Sequence, residues 1–362
     1  MTGPLVGLRL IEFAGIGPGP FCGMILADLG ADVVRIERAD NPPIAVPWNR
    51  DLLNRGKRSV TADLKTEAGR ERALALVERA DLTVEGFRPG VAERLGIGPE
   101  ECLRRQPRLV YGRRTGWGQS GPLAHTAGHD LTYLAHTGAL HAIGPGDGPP
   151  QVPLNLVGDF GGGSLYLVVG LLAALHESRR SGRGQVVDVA MVDGAAHLMT
   201  MFYGLLGAGA WRDERGSNLI DGGAPFYGVY QAADGGYLAV GALEPHFFSA
   251  LLDRLGITEP VDQFDRASWP RTRELLAAAF ARRDRDEWAE MFAGTDCCVA
   301  PVLSMTEAPT SPHLVQRGTF VRPGGVIQPG PAPRFSRTPA AVDGPPCTPG
   351  QHTDEVLREW LS

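Results

Sequence analysis

The sequence predicts an α/β fold, with a large Rossmann-like domain built on a parallel sheet and a smaller α+β domain. Short strand patterns alternate with helix patterns over the first half of the chain, which is typical of βαβ units. A glycine-rich hairpin pattern and three helix patterns then form a separate group. The change from alternation to grouped elements indicates two domains of different architecture.

The first βαβ unit has a strand at 8–13, a helix at 21–29 closed by a glycine, and a strand at 33–36. Its glycine-rich turn invites comparison with the dinucleotide fingerprint, in which Glu37 would take the place of the ribose-binding acid. However, Pro20 stands where the third glycine belongs, and Pro18 removes a backbone N–H donor. A tight strand-to-helix turn is therefore favoured over NAD binding.

Further strands are predicted at 59–62, 82–85, 109–113 and 182–190, completing a large domain over 1–215. An apolar run at 165–175 is too short to span a bilayer and predicts a buried helix after Asp159, so no membrane partner is expected. A helix at 191–206 is rich in methionine and aromatic residues, which suit either an acyl pocket or a core.

A hairpin at 226–241, helices near 245–256, 270–282 and 284–293, and a strand at 298–303 predict a small α+β domain over 216–321. Within 322–362, residues 322–350 hold many prolines and glycines, and a helix follows at 353–361. They predict an extended strap whose terminal helix returns to the large domain.

Composition excludes several classes of function. A net charge of −6 argues against nucleic acid as a partner. The first residues show no signal-peptide pattern and the last three are not a peroxisomal signal, so a cytoplasmic protein is expected. The five cysteines lack C-x-x-C spacing, which predicts neither a disulfide framework nor a zinc site.

Basic residues recur where predicted strands end, at Arg35, Arg38, Lys65 and Arg88. Ligands of open parallel sheets bind outside the carboxyl ends of the strands. As a set, these residues suggest a phosphorylated ligand. For any single one of them, solvated surface charge is the favoured interpretation.

His129 and Asp159 both lie beside glycines at predicted helix starts, where a ligand can approach closely. The alternatives are a core imidazole and a helix cap, and Glu244 would by default be a first-turn acid. Four histidines close in sequence raise the question of a metal, but no nearby acid completes a ligand set and none is expected. The motif G-x-S-x-G is absent, so serine catalysis is disfavoured.

Six segments carry a resemblance to a known family: GIGPGPFCGMILADLGADVVRIER, GKRSVTADLK, GWGQSGP, AGHDLTYLA, PLNLVGDFGGG and GRGQVVDVAMVDG. In this order they resemble the family III CoA-transferase superfamily of the CaiB/BaiF type, and within it the α-methylacyl-CoA racemases. The resemblance continues through VGALEP and APRFSRT and so spans nearly the whole chain. It implies an isomerase of lipid metabolism that acts on acyl-CoA and forms an interlocked homodimer.

The resemblance also implies roles for individual residues. His129 and Asp159 would be the proton-transfer pair, and Glu244, brought from the second subunit, the acidic partner of the histidine. CoA is part of the substrate and no separate cofactor is implied. The positions that match CoA-contacting stretches are Arg38, Thr61, Ala62, Asp63, Leu64, Lys65, Arg88, Gly128, Asp130 and Tyr133.

Elementary chemistry agrees with that assignment. Inversion at a carbon next to a thioester requires one group to remove a proton and another to deliver one on the opposite face. A CoA transferase of the same superfamily is the alternative, with Asp159 as a nucleophile that forms an acyl anhydride. It has no need of a histidine opposite that aspartate, which favours the racemase. A protein that binds acyl-CoA without turnover is disfavoured for the same reason.

Overall fold

The computed structural model describes residues 2–40, 42–43 and 46–362. It contains a six-stranded, fully parallel sheet with strand order β3-β2-β1-β4-β5-β6. Its strands are β1 (Arg9–Phe13), β2 (Asp32–Glu37), β3 (Arg58–Thr61), β4 (Leu82–Glu85), β5 (Val110–Thr115) and β6 (Gln185–Ala190). The predicted α/β class and parallel sheet are confirmed. From β1 the chain adds β2 and β3 on one side of the sheet, and it then adds β4, β5 and β6 on the other side. This change of side creates a crevice between β1 and β4.

Alternate residues of the central strands enter two separate cores, one on each face of the sheet. Ile11 belongs to one core and Leu10 to the other, and both are fully buried. The helices that follow the first strands are α1 (Pro18–Asp28), α2 (Glu67–Val77), α3 (Val91–Arg94) and α4 (Pro99–Arg105). Helices on both faces explain why these strands are continuous apolar runs rather than alternating ones.

Helix α1 begins at Pro18, three residues before the predicted start. Proline is tolerated there because the first amides of a helix have no intrahelical partner and its backbone angle φ already suits a helix. Gly17 precedes the helix with φ of 64°, a left-handed conformation that glycine adopts without strain. The short turn from β1 therefore passes directly into α1.

The apolar segment forms a longer helix than predicted. It starts as a π-helical stretch, Leu156–Leu165, and continues as α7 (Tyr166–Ser181). Two short helices precede it in the chain, α5 (Asp130–Leu134) and α6 (Ala139–Ala142). Among the described residues, this 26-residue helix is long and apolar enough to cross a membrane by length and composition alone. Leu167 and Leu171 are fully buried against the sheet, as in a core helix.

Asp159 therefore lies inside a helix, whereas the sequence predicted a position just upstream of one. The glycines at 161–163 do not end the helix but widen its first turns. Gly162 faces the backbone of Gly194 and Ala195, where a Cβ would lie 2.6 Å from the amide nitrogen of Ala195. Glycine thus permits close helix packing there.

The prediction of a single helix at 191–206 is wrong in one respect. The structure has two helices there, α8 (Met191–Leu198) and α9 (Thr200–Gly207). The Met199 amide donates to the Ala196 carbonyl, a tightened final turn that interrupts the helical hydrogen-bond series.

The chain divides into two compact units. The first comprises 1–137, 154–199 and 311–362, and the second comprises 138–153 and 200–310. Compared with the division predicted from the sequence, 138–153 and 200–215 lie in the second unit and 311–321 in the first. Arg215 accounts for part of this, since its guanidinium donates to the carbonyls of His141 and Gly148 at 2.7 Å each.

The second unit has a three-stranded antiparallel sheet, β7 (Tyr227–Gln231), β8 (Tyr237–Gly241) and β9 (Val299–Pro301). Its longer helices are α10 (Pro245–Leu255), α11 (Trp269–Phe280) and α12 (Arg285–Phe292). Phe226, Leu238 and Phe280 are fully buried in its own core. It is an α+β arrangement.

The last part of the first unit contains few regular elements. These are α13 (Pro312–Gln316), the two-residue strands β10 (Phe320–Val321) and β11 (Gln328–Pro329), and α14 (Thr353–Leu361). Val356 and Trp360 of α14 are buried in the core on one face of the large sheet. The Trp360 indole also donates to Asp32 at 2.9 Å, and this contact anchors the terminal helix.

Candidate active site

Most of the predicted site residues in the first unit line cavities at the carboxyl ends of the parallel strands. A cavity of about 630 Å³ is lined by the loops that follow β1, β4 and β5, and by residues from the segments that precede α5 and begin the long helix. The crevice between β1 and β4 is where ligands of such sheets bind. His129 and Asp159 both line this cavity.

Asp159 is held by contacts to its backbone and to its side chain. Its backbone N–H donates to Oδ2 of Asp130 at 2.6 Å, and the Asn155 amide donates to its Oδ2 at 3.2 Å. Burial raises the pKa of the Asp159 carboxyl above its usual value, and the negative charge of Asp130 adds to this. The Asn155 hydrogen bond and the positive charge of Arg114 act in the opposite direction. This carboxyl can therefore exist in its protonated form more readily than a free aspartate.

His129 is the N-cap residue of α5. Its backbone N–H donates to Oγ1 of Thr132 at 3.0 Å, and that hydroxyl donates back to the His129 carbonyl at 2.7 Å. The backbone is thereby fixed while the side chain stays exposed and lines the cavity. An imidazole placed in this way can exchange protons with a bound molecule.

Tyr133 and Gly128 also border this cavity, whereas Asp130 is buried and directs its carboxylate to the Asp159 amide. Burial raises the pKa of the Tyr133 phenol, and the charge of Asp159 raises it further. Its ring packs edge-on against Trp117, with centroids 4.9 Å apart. Tyr133 thus contributes a neutral phenol to the cavity wall.

A second cavity of about 270 Å³ collects most of the other predicted CoA contacts. Its lining includes Arg38, Ala62, Asp63, Leu64 and Lys65.

The two cavities share Ala14 and Phe87, which lie just after β1 and β4. Arg88 lines the first cavity. Thr61 lies nearby, where its amide donates to Oγ1 of Thr353 at 3.1 Å. Arg38 and Lys65 thus line one of two neighbouring cavities, and His129 and Asp159 line the other.

Arg35 and Glu37 are both buried and bonded to neighbouring side chains, although each also borders a cavity. Arg35 is buried, and its guanidinium donates to Glu12 at 3.4 Å and to Asn54 at 2.7 Å. Glu37 accepts a hydrogen bond from the Ser59 hydroxyl at 2.6 Å. Alternation along β2 turns Arg35 into the protein, so the expectation of a basic strand end fails for this residue.

Glu244 lies in the second unit, as the exposed N-cap residue of α10. The sequence context predicted that Glu244 lies in the first turn of this helix, whereas it lies one position before the helix begins. Its negative charge contributes to the raised pKa of the Cys298 thiol, after burial, which is the larger cause.

Two of the other neighbouring histidines have partners of their own. His136 packs edge-on against Trp117 at 5.0 Å, and His141 lies in the second unit, 3.4 Å from Asp213. Within the described part of the chain, no group of three or more His, Cys, Asp or Glu residues is arranged to hold a metal ion.

Two residues of the cavity escaped the sequence reasoning. Asn155 precedes Asp159 by four positions, a helical spacing that could have revealed the contact. Arg114 is the second of two adjacent arginines at the end of β5 and lines the cavity. Strand alternation sends Arg113 to the other face, where its guanidinium contacts Glu85 at 2.9 Å.

The family model described as CoA-transferase family III matches residues 5–353. The chain belongs to this family. It is 45% identical over 360 residues to the α-methylacyl-CoA racemase of Mus musculus, covering 98% of this chain and 93% of that one. It is 42% identical over 361 residues to the α-methylacyl-CoA racemase of Homo sapiens, with the same coverage.

A solved structure of a CaiB/BaiF family protein from Brucella suis matches with a TM-score of 0.84 and 28% identity, covering 99% of this chain and all of that one. The family assignment thus rests on a family model, on curated relatives and on the fold. The resemblance noted in the sequence is confirmed.

Proposed function

We propose that the protein is an isomerase that interconverts the R and S forms of 2-methylacyl-CoA thioesters. The observation that carries the proposal is that His129 and Asp159 line one cavity in a chain 42% and 45% identical to racemases of this class. Each group can remove the Cα proton from one face of the substrate, leaving an enolate that the other group reprotonates.

The charge states follow from the direction of reaction. When Asp159 acts as the base it is ionised and His129 is protonated; in the reverse direction His129 is neutral and Asp159 is protonated. The raised pKa of Asp159 supports this second state, because it lowers the cost of protonating the carboxyl. Proton transfer of this kind requires no metal or organic cofactor, and the CoA portion serves for binding.

The second cavity, called the basic cavity from here on, is the proposed location of the CoA phosphates. Arg38 and Lys65 line it and are exposed, so their charges can reach a phosphate directly. Arg88, Gly128 and Tyr133 would then border the path of the extended arm toward the reaction cavity. The acyl group would occupy the end near His129 and Asp159.

A homodimer that completes the site is also part of the proposal. Val169 is 66% exposed, Leu165 49% and Val186, on the edge strand β6, 40%. An apolar helix and an unpaired strand edge of this kind favour association with another chain. In that arrangement Glu244 of a second copy would approach His129. A cytoplasmic location and a role in lipid metabolism remain proposals that follow from the sequence.

The test of the proposed function is isotope exchange. Each enantiomer of a 2-methylacyl-CoA, incubated with the protein in deuterium oxide, should gain deuterium at Cα as it inverts, and no acyl acceptor should be needed. Mass spectrometry and chiral separation measure both events. Loss of the thioester only in the presence of a carboxylate acceptor, with no deuterium at Cα, would contradict the proposal.

That contrary result would identify the second candidate, a CoA transferase. The family description favours it, and Asp159 in a half-buried position could attack the thioester carbonyl and release the CoA thiolate. An exposed His129 facing the same cavity has no part in such a reaction. The racemase accounts for both residues.

A further inference from the structure

Arg114 is a buried cation at the base of the reaction cavity. It is only 8% exposed and belongs to β5, and it lines the same cavity as His129 and Asp159. Its guanidinium lies directly under the turn that follows β1: a Cβ on Gly15 or on Gly19 would lie 3.7 or 3.5 Å from Nη2. At Gly86, after β4, a Cβ would overlap this guanidinium.

Among the described residues, the Arg114 guanidinium has no ion-pair partner. Its Nε–H is buried, and within the described residues it finds no hydrogen-bond acceptor. The adjacent Arg113 differs completely, because it is bonded to Glu85 at 2.9 Å and to Glu93 at 2.8 Å. A guanidinium carries five N–H donors, and burying it without acceptors is costly. A residue with this cost and this position is expected to serve a ligand.

Asp159 borders the same turn. A Cβ on Gly17 would lie 3.3 Å from Asp159 Oδ2, so this carboxylate and the Arg114 guanidinium lie along one short loop. They are close enough to attract one another, and each shifts the pKa of the other. Within the described residues, however, they form no ion pair within 4.0 Å.

Two backbone donors in the first turns of the long helix are already engaged. The Asp159 amide donates to Asp130, and the Phe160 amide donates to the Asn155 carbonyl at 3.2 Å. Removing the Cα proton leaves negative charge on the thioester oxygen, and an enzyme must stabilise this charge where it develops. Arg114 is a buried cation that lines the cavity, and its Nε–H has no acceptor among the described residues.

We infer that Arg114 supplies the positive charge that stabilises the enolate oxygen during the reaction. The inference rests on the proposed function. In the step concerned, Asp159 or His129 takes the Cα proton, the C–H electron pair becomes the new C=C bond, and the C=O π pair moves onto oxygen. Arg114 transfers no proton; it stays charged while negative charge develops on the thioester oxygen.

The first experiment measures anion binding and does not depend on turnover. Two CoA thioethers, carboxymethyl-CoA and carbamoylmethyl-CoA, differ in whether the group next to the sulfur-bound carbon is an anion or a neutral amide. Calorimetry with the wild-type protein should show tighter binding of the carboxylate by about tenfold or more. In Arg114→Gln this preference should disappear, while the affinity for free CoA stays within about twofold.

The second experiment measures exchange of the Cα hydrogen. Arg114→Gln should lower kcat by about 10²-fold, the scale observed for loss of one donor to a developing oxyanion, with KM nearly unchanged. Arg114→Lys should recover part of the rate, since it retains the charge. Removing the positive charge also raises the pKa of Asp159, so the acidic limb of the pH profile should move to higher pH.

Stability separates this role from a structural one. Because Arg114 has no ion-pair partner within 4.0 Å among the described residues, Arg114→Met should keep or raise the melting temperature even as activity falls. Arg180→Gln, on the exposed last turn of α7, serves as the control and should change neither property. A melting temperature lowered in step with activity would overturn the inference.

The failure of the inference and that of the proposed function are distinguishable. If the wild type exchanges no Cα hydrogen but its carboxylate preference disappears in Arg114→Gln, the anion site stands and the racemase proposal falls. If the wild type racemises its substrate while Arg114→Gln retains both the preference and the rate, the racemase stands and the inference about Arg114 is wrong.

Discussion

The carboxylate of Asp130 accepts a hydrogen bond from the backbone amide of Asp159, with 2.6 Å between Oδ2 and N. Asp130 follows His129 directly, so this contact joins the loop of one proposed catalytic group to the helix of the other. It also places a negative charge beside Asp159, which contributes to the raised pKa of that carboxyl. One residue thus affects both the spacing and the protonation of the pair.

Asp130→Asn separates these two effects. The asparagine oxygen can still accept the Asp159 N–H, but the negative charge is gone, so the pKa of Asp159 falls toward its usual value. When Asp159 acts as the base, activity is present above its pKa and is lost as the pH falls through it. The acidic limb of kcat/KM should therefore move to lower pH. An unchanged limb would show that Asp130 acts only through the hydrogen bond.

Asp130→Ala should do more damage, because it removes the acceptor as well as the charge. We expect kcat to fall about tenfold or more below that of Asp130→Asn, since small displacements of a positioned group cost much of its effect. Steady-state kinetics of the two variants at one pH, with melting temperatures as the control for folding, measure this difference.

Local patterns explain what the sequence could predict. The bounds of β4 and of α14 were predicted to the residue, because each follows from the apolar pattern and the turn residues beside it. His129 and Asp159 were found by their glycine neighbours and by resemblance, and both line one cavity.

Long-range contacts explain what the sequence could not predict. The hydrogen bond from Asp159 to Asp130 joins residues 29 positions apart, and no local pattern encodes it. Arg35, Arg38 and Arg114 look alike in sequence, yet one is bound in a buried network, one is exposed and one lies under the cavity. The direction of the strand and the packing of its neighbours decide among these outcomes.

Arg38 should contribute to CoA binding rather than to turnover. It lines the basic cavity, and its ion pair with Asp40, at 3.3 Å, is well exposed to solvent. Arg38→Ala should weaken binding of acyl-CoA about tenfold, as expected for loss of one charge-assisted phosphate contact, with a smaller effect on the rate of bound substrate. The control is Arg79→Ala, because Arg79 is exposed and precedes β4, at the amino ends of the parallel strands. If free CoA does not bind the wild type in calorimetry, this assignment of the cavity is wrong.

Complementation tests the shared active site. A homodimer of His129→Ala chains lacks the imidazole in both sites, and a homodimer of Glu244→Ala chains lacks the carboxylate in both, so neither should be active. Co-expressed variants, separated by two different tags to isolate the mixed dimer, should regain up to about half of the wild-type activity, because one of its two sites carries both residues. Full activity of a wild-type monomer at assay concentration would contradict the shared site.

Lys57 should matter for stability. Its ammonium group is fully buried and contacts Glu12 at 2.7 Å and the Asn54 amide oxygen at 3.1 Å. Lys57→Met leaves Glu12 buried with Arg35 at 3.4 Å as its remaining ion-pair partner. Breaking a buried pair in this way should lower the free energy of unfolding by about 3 kcal/mol. Urea denaturation measures the loss, and Arg104→Met, which removes an exposed pair with Glu101, should cause little change.

The proposed two-base mechanism makes a prediction that no one-base scheme shares. With His129 and Asp159 on opposite faces of the substrate carbon, either single variant should lose inversion of both enantiomers by at least about 10²-fold. Asp159→Asn keeps the size of the side chain but cannot take a proton. His129→Ala removes the imidazole and leaves the basic cavity untouched, so CoA affinity should be retained.

Exchange without inversion then identifies the face of each base. In His129→Ala, Asp159 can still remove and return the Cα hydrogen of the one enantiomer that presents it to the carboxylate, so only that enantiomer should gain deuterium. Asp159→Asn should show the opposite preference, with exchange through His129. Chiral analysis of the recovered thioesters after incubation in deuterium oxide measures both outcomes. Equal exchange of both enantiomers in either variant would mean that a single group reaches both faces, because two bases on opposite sides cannot produce it.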